Sequence, residues 1–172
     1  RQAVREVHEA LVEQGFSALA LHGEQEQRER EEMLVRFANR SCNVLIATDV
    51  AARGLDIKEL PMVINFDIAS DADTHIHRIG RTGRAGSHGI ALSLVTPREG
   101  HRARTIAEHQ QIDLNWKRIP SPKNATAHAA AFITIAVDGG RQDKVRPGDL
   151  LGALTGDAGL PGTAVGKIDV FP

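Results

Sequence analysis

The apolar residues of this chain follow two patterns: short continuous runs, and longer segments in which they recur every three or four residues. Short runs are typical of buried strands, and the longer recurrence is typical of amphipathic helices. The runs predict strands over residues 16–21, 43–48, 62–66 and 90–95. The recurrence predicts helices over residues 1–14, 24–38 and 98–111, with a shorter one between the last two strands. This alternation predicts an α/β fold with a mainly parallel sheet flanked by helices.

The composition changes after residue 116, because the next fourteen residues hold two prolines and several alanines, as linkers often do. Beyond this segment the pattern predicts a strand over residues 132–137, a helix from Pro147 towards Thr155 and a strand over residues 165–171. The predicted division is a first domain over residues 1–119, a linker over residues 120–130 and an α+β domain over residues 131–172.

The charge and composition narrow the class of protein. The formal net charge is −1, so a nucleic-acid site must come from local clusters of basic residues. Aromatic residues make up only 3% of the chain, which favours an aliphatic core with strands buried on both faces. Cys42 is the one cysteine, so a disulfide within the chain and a cysteine metal cluster are excluded. No apolar run approaches the roughly 20 residues of a membrane span. We expect a cytoplasmic protein without a metal site in this chain.

Three arginines recur at three-residue spacing and alternate with two glycines: Arg78, Arg81 and Arg84 with Gly80 and Gly83. Residues three apart share one face of a helix, and the glycines remove side chains that would block a ligand. We expect Asp73 or Thr74 to cap this helix. A guanidinium group stays charged and donates two hydrogen bonds at once, which suits phosphate oxygens. The alternative is a solvated basic surface helix, against which the paired glycines argue.

Two segments resemble motifs V and VI of the DEAD-box RNA helicases. Residues 47–56 read Ala-Thr-Asp-Val-Ala-Ala-Arg-Gly-Leu-Asp, and residues 77–84 read His-Arg-Ile-Gly-Arg-Thr-Gly-Arg. His22-Gly23, followed by Gln27 and Arg30, resembles the motif IVa region. The resemblance implies that residues 1–119 form the second RecA-like domain, lacking its first strand. It also implies that the first RecA-like domain of the same protein is a partner.

The end of the chain resembles the C-terminal RNA-binding domain of the DbpA subfamily. The match lies in residues 138–156, with Val-Arg-Pro-Gly-Asp-Leu-Leu-Gly-Ala-Leu-Thr-Gly at its end, and in residues 166–168. The resemblance implies a truncated RNA-recognition-like domain over residues 131–172. It implies RNA as the partner, in particular large-subunit ribosomal RNA during ribosome biogenesis.

The resemblance to the helicases also implies a site for ATP, with Mg²⁺ held by the first domain. It assigns Arg84 as the arginine finger and Arg81 as its companion on the γ-phosphate. An arginine in that role can raise the rate of phosphoryl transfer by about 10³–10⁵.

Four further residues are assigned by resemblance to ATP binding and interdomain coupling: Asp56, Arg53, His77 and Arg78. Asp56 would contact the ribose hydroxyl; the alternative is an aspartate that stabilises a turn. Arg53 and His77 would link the nucleotide site to the first domain; the alternatives are an internal salt bridge and a structural histidine. The alternative for Arg78 is an internal brace of its motif.

The expected RNA-binding residues are Gly23, Gln27, Arg30, Thr48, Arg141, Lys144 and Arg146. Hydroxyls, backbone amides and basic side chains hold the RNA backbone without reading its sequence. Gln27 has an equal alternative, which is to orient Arg30 and its loop. The three basic residues of the tail lie on a loop that leads into a helix, where phosphates can be seated, and their alternative is a solvated loop. Phe132 is either a core residue or a stacking platform for a base.

The leading hypothesis is a part of an ATP-dependent RNA helicase that unwinds short RNA duplexes, and this chain alone is expected to be inactive. The alternative is a non-catalytic RNA-binding or scaffold protein that keeps the helicase framework. A DNA helicase shares the arginine motif, but the Arg-Gly-Leu-Asp turn and the tail argue against it.

Overall fold

The computed structural model describes residues 2–52, 57, 60–83, 88–119 and 127–170. These residues form two compact units. The first unit joins the described residues up to Ala52 with those from residue 127 onward, and the second unit holds the described residues between them. The predicted domain limits at residues 119, 120–130 and 131 remain predictions.

The first unit begins with a parallel strand pair joined by a helix. Its elements are α1 (Gln2–Glu13), β1 (Ala18–Leu21), α2 (Gln27–Ala38), β2 (Val44–Ala47) and α3 (Asp49–Ala52). β1 pairs with β2 in a register that sets Ala18 opposite Val44 and Leu21 opposite Ala47. Leu21 is fully buried, and Cys42 is 4% exposed, so its thiol lies in the interior. The strand–helix–strand order confirms the predicted parallel crossover.

The second unit repeats this arrangement. Its elements are β3 (Met62–Asn65), α4 (Ala72–Ile79), β4 (Ile90–Ser93), a 3₁₀ turn (Pro97–Glu99) and α5 (Gly100–Gln110). β3 and β4 are parallel, with Met62 opposite Ile90 and Asn65 opposite Ser93. A small core of Ile68, Ala69, Ala103 and Ile106, with Val95 packed against it, lies under α5.

Up to residue 111 the predicted elements are present, but most of them are shorter than the pattern suggested. The helix predicted from residue 24 begins at Gln27, because the side chain of Gln25 bonds to backbone upstream. The strand predicted to reach residue 95 ends at Ser93. Sequence patterns locate an element well and its ends poorly, since the ends depend on contacts outside the element.

The tail keeps its predicted helix and lacks its predicted strands. α6 runs over Pro147–Thr155, and a 3₁₀ turn follows at Gly162–Ala164. The described residues of the two predicted strands, 132–137 and 165–170, are not strands. A strand needs a neighbour to complete its hydrogen-bond ladder. In this structure the N–H of Phe132 donates instead to the carbonyl of Arg40 at 3.4 Å.

Candidate functional site

The helix that leads into the arginine motif is capped by Asp71. Its carboxylate accepts the backbone N–H of Thr74 at 2.7 Å and the Thr74 hydroxyl at 2.9 Å. Hydrogen bonds from Ser70 and Thr74 lower the pKa of Asp71 to about 2. The prediction that Asp73 or Thr74 caps the helix is therefore wrong. A helix capped by Asp73 would begin at Thr74, whereas α4 begins at Ala72.

Arg78 lies in the last turn of α4 and points back to the end of β3. Its Nη1 donates to the side-chain oxygen of Asn65 at 3.3 Å and to the backbone carbonyl of Asp67 at 2.7 Å. These are the contacts of an internal brace, the alternative that the sequence left open for this residue. Its assignment to interdomain coupling remains a prediction.

Arg81 lies beyond the helix, because α4 ends at Ile79 and Gly80 closes it with an N–H bond to the carbonyl of Ile76. The prediction of arginines on one helical face therefore fails for Arg81. The backbone here is fixed from the other side: the N–H of Leu60 donates to the carbonyl of Arg81 at 3.0 Å. The hydroxyl of Thr82 also donates to the carbonyl of Leu60.

Several assigned nucleotide-site residues lie outside the described part of the chain: Arg53, Asp56 and Arg84. Of the others, His77 is exposed on α4 and Arg81 is half-buried. Among the described residues, the nucleotide site is therefore represented by the anchoring of α4 and of the Arg81 backbone.

The predicted RNA contacts of the first unit gather at the carboxyl ends of β1 and β2. Since Leu21 pairs with Ala47, Gly23 and Thr48 follow neighbouring strands at one sheet edge, where ligands bind in parallel α/β folds. The Thr48 hydroxyl accepts the N–H of Ala51 at 3.3 Å, which leaves its own hydrogen for another acceptor. Gly23 is exposed, with open space where a Cβ would stand.

Arg30 reaches the same edge from α2. Its Nη2 donates to the carbonyl of Ala51 at 3.4 Å, so Arg30 and Thr48 both bond to the backbone of one residue. The Nε of Arg30 is buried and has no hydrogen-bond partner among the described residues. The structure therefore brings Arg30 and Thr48 together beside α3.

The loop after β1 is organised by Gln25, a residue that the sequence reasoning missed. The Gln25 side chain accepts the N–H of His22 at 2.9 Å and donates to the carbonyl of Ala20 at 3.0 Å. Gln27 instead donates to Glu31 at 2.7 Å, one turn along the exposed side of α2. The alternative in which Gln27 orients Arg30 is therefore wrong; its RNA contact remains a prediction. No sequence pattern distinguishes the two glutamines, because both lie in one polar segment around the start of α2.

The tail carries its basic residues around an open cleft of about 790 Å³. Arg141 and Arg146 line this cleft, and Lys144 is not among its lining residues. Lys167, which the sequence reasoning missed, joins them and pairs with Asp169 at 3.0 Å. Position along the chain gave no signal for Lys167, since it lies more than twenty residues from the basic loop. Phe132 is 41% exposed and lies outside the core.

Comparisons with known proteins identify the family. The family described as "helicase conserved C-terminal domain" matches residues 1–86, half of the chain, and the "DbpA RNA binding domain" matches residues 134–172. The chain belongs to the DEAD-box RNA helicases. The fold prediction is thereby confirmed for the RecA-like part.

Individual relatives agree with this placement. The chain is 55% identical to ATP-dependent RNA helicase DbpA of Escherichia coli (strain K12) over 166 residues, which is 96% of this chain and 36% of that protein. The E. coli DEAD-box protein SrmB, in its crystal structure bound to regulator of ribonuclease activity A, is 38% identical in sequence to this chain. The two structures are similar with a TM-score of 0.67. The match covers 74% of this chain and 76% of that one. A DEAD box protein from Methanococcus jannaschii is also 38% identical, with a TM-score of 0.62 over 65% of this chain and 31% of that chain. The chain thus spans about a third of the E. coli DbpA helicase that it matches.

Two structural findings bear on ligands and membranes. Within the described ranges, no group of three or more His, Cys, Asp or Glu side chains is placed to hold a metal ion. The helices of these same ranges are too short or too polar to cross a membrane.

Proposed function

We propose that this chain is the part of an ATP-dependent RNA helicase that supplies arginines to ATP and one wall of the RNA groove. The observation that carries the proposal is the double anchoring of the arginine motif in a DEAD-box chain: α4 is tied to β3 through Arg78, and the Arg81 backbone is tied to Leu60. Such anchoring suits catalysis, because electrostatic stabilisation of a phosphoryl group requires donors held in place before the reaction.

In the proposed mechanism, Arg81 and Arg84 neutralise charge on the γ-phosphate as it is transferred to water. Asp56 accepts a hydrogen bond from the ribose hydroxyl, and Arg53 and His77 respond to closure against the first RecA-like domain. Mg²⁺ accompanies ATP, and its ligands are proposed to belong to the first RecA-like domain.

RNA in this proposal runs along the edge formed by Gly23, Arg30 and Thr48. A free hydroxyl hydrogen at Thr48, an open approach at Gly23 and a guanidinium at Arg30 are the donors that a phosphodiester backbone requires. Because these groups contact the backbone and not the base edges, this part of the chain would bind RNA with little dependence on sequence.

In this proposal the tail selects the RNA on which the helicase acts. Arg141 and Arg146 line an open cleft, and with Lys144 on the same loop they offer an electropositive surface for structured RNA. The RNA is proposed to be large-subunit ribosomal RNA, which would make ribosome biogenesis in the cytoplasm the process served.

RNA-stimulated ATPase activity of the full-length protein tests this function. Arg84→Ala and Arg81→Ala are each expected to lower kcat by about 10³-fold, in the range of a lost arginine finger. Arg104→Ala is the matched control, because Arg104 is an exposed arginine of α5 with no assigned role. Full activity in Arg84→Ala would contradict the finger assignment. RNA binding by a full-length protein that shows no ATPase would support the scaffold alternative.

A further inference from the structure

Asn65 is one of few buried polar residues in the described chain, with 3% of its surface exposed at the end of β3. Both ends of its side-chain amide are used. The Nδ2 donates to the hydroxyl oxygen of Ser93 on β4 at 3.0 Å, and the Oδ1 accepts from Nη1 of Arg78 on α4 at 3.3 Å. The orientation of the amide is fixed, since a guanidinium can only donate and must therefore face the oxygen.

The backbone of Asn65 joins the same elements. Its carbonyl accepts the N–H of Leu94 at 2.9 Å, directly after β4. One residue therefore connects β3, β4 and the helix that precedes Arg81. A buried amide that satisfies both partners at once fixes their relative positions, because a shift of either partner leaves a buried polar atom without a hydrogen bond.

The connection continues from Arg78 to Arg81. The carbonyl of Arg78 accepts the N–H of Arg81 at 3.3 Å, and the carbonyl of Ile79 accepts the N–H of Thr82 at 3.0 Å. Through these bonds at the end of α4, the position of the Arg78 backbone determines the position of Arg81. On the other side, Leu60 holds the Arg81 carbonyl, so the segment is fixed between two supports.

We propose that Asn65 is a positioning residue for Arg81: its amide sets the placement of α4 and thereby the geometry of the arginine motif against ATP. This inference rests on the proposed function. Asn65 does not touch the nucleotide in this scheme; it acts through Arg78. Substitution of Asn65 should accordingly lower kcat more than it changes KM for ATP, because the misplaced group acts in the transition state.

The test compares variants of the full-length protein. Asn65→Leu keeps the size of the side chain and removes both hydrogen bonds, and kcat is expected to fall by about 10- to 100-fold, as for a displaced catalytic group. Asn65→Asp is expected to restore most of the activity, since a carboxylate accepts from Arg78 and from the Ser93 hydroxyl. Ser93→Ala removes only one hydrogen-bond partner of Asn65, so kcat should fall by less than in Asn65→Leu. This variant replaces Asn65→Leu in the test if Asn65→Leu does not fold.

Gln110→Leu is the matched control, because Gln110 also contacts α4 through an amide, at Nδ1 of His75, but does not reach Arg78. Its kcat is expected to equal that of the wild type. Equal kcat values for Asn65→Leu and Gln110→Leu would overturn the proposal, as would a loss of activity in Asn65→Asp as large as in Asn65→Leu.

Hydrogen exchange of backbone amides separates this inference from the proposed function. In Asn65→Leu the amides of Gly80, Arg81 and Thr82 should exchange at least about 10-fold faster, while those of Ile106 and Ala107 in α5 keep their rates. Unchanged exchange at Arg81 would overturn the positioning role. An absence of ATPase in the wild type, with local loosening in the variant, would overturn the proposed function and leave the support of Arg81 by Asn65 standing.

Discussion

The side-chain amide nitrogen of Gln110 lies 2.8 Å from Nδ1 of His75 and links α5 to the start of α4. An amide N–H can only donate, so this contact suits a neutral His75 whose Nδ1 carries no proton. Burial is the main cause that lowers the pKa of His75; the hydrogen bond with Gln110 raises it in part, and the Arg78 guanidinium lowers it. The two helices are therefore joined most strongly when this ring is neutral.

Stability of the second unit should accordingly fall in mild acid. Because the folded-state pKa of His75 lies below its ordinary value of 6.5, the unfolded chain binds more protons between these two values. The contribution is fully present above pH 6.5 and is lost as the pH falls through the folded pKa. Thermal midpoints between pH 5 and pH 8 measure this effect. His75→Gln, which does not titrate there, should give a flatter curve; an equally steep curve would exclude His75 as the cause.

The cap of α4 should fail only in strong acid. Asp71 has a pKa of about 2 in the folded protein and an ordinary value of 3.8, so its stabilisation is present above pH 3.8 and is lost as the pH falls through about 2. Asp71→Asn keeps a good capping residue without the titrating group. The difference in thermal midpoint between the wild type and this variant should shrink between pH 4 and pH 2. A constant difference would show that the charge of Asp71 has no part in the cap.

Gly89 should not tolerate a side chain. A Cβ at this position would stand 1.9 Å from the hydroxyl oxygen of Thr82 and 2.5 Å from the backbone nitrogen of Gly83. Gly89→Ala is expected to destabilise the protein by about 1–3 kcal/mol through overpacking beside the arginine motif. Gly100→Ala is the control, because a Cβ there meets nothing within 4 Å and the backbone is helical. Urea denaturation measures both; equal stabilities would contradict the close approach.

Gly23 should tolerate alanine in the fold but not in RNA binding. Apart from its chain neighbours, no atom of the described residues lies within 4 Å of a Cβ at Gly23, so stability should be unchanged. An RNA backbone approaching this open position would meet the new methyl group, and a lost hydrogen bond to a charged phosphate weakens binding by about 10-fold or more. Titration of a labelled single-stranded RNA with the full-length protein checks this, with Gly100→Ala again as the control. Unchanged affinity would remove Gly23 from the RNA site.

The sequence predicted those parts of the site that depend on local pattern. The apolar runs of the strands stand out in the sequence, and the motifs that follow them are placed at the carboxyl edge of the sheet. The prediction that the strands are buried on both faces is wrong for β4, whose four residues are all exposed. Thr48 lies beside Ala51 because it follows β2 at this edge, and Arg30 reaches the same residue from α2. Asp71 was misjudged because Asp73 and Thr74 are equally good capping residues, and only the backbone dihedrals decide which one is used.

The residues that the sequence missed act across long separations. Gln25 looks like any polar residue before a helix, and Lys167 lines the same cleft as Arg141 and Arg146 although it is distant from them along the chain. Asn65 reads as the polar end of a strand, although its partners lie 13 and 28 residues away.

The amino-acid sequence alone determined the order of strands and helices and the spacing of the arginine motif, because propensity and periodicity are set by neighbours along the chain. Tertiary structure decided where α4 ends, that Arg78 turns inward to Asn65, and that Phe132 bonds to Arg40 while residues 132–137 form no strand. These outcomes depend on which buried donors and acceptors meet, and that is settled only when distant segments pack together.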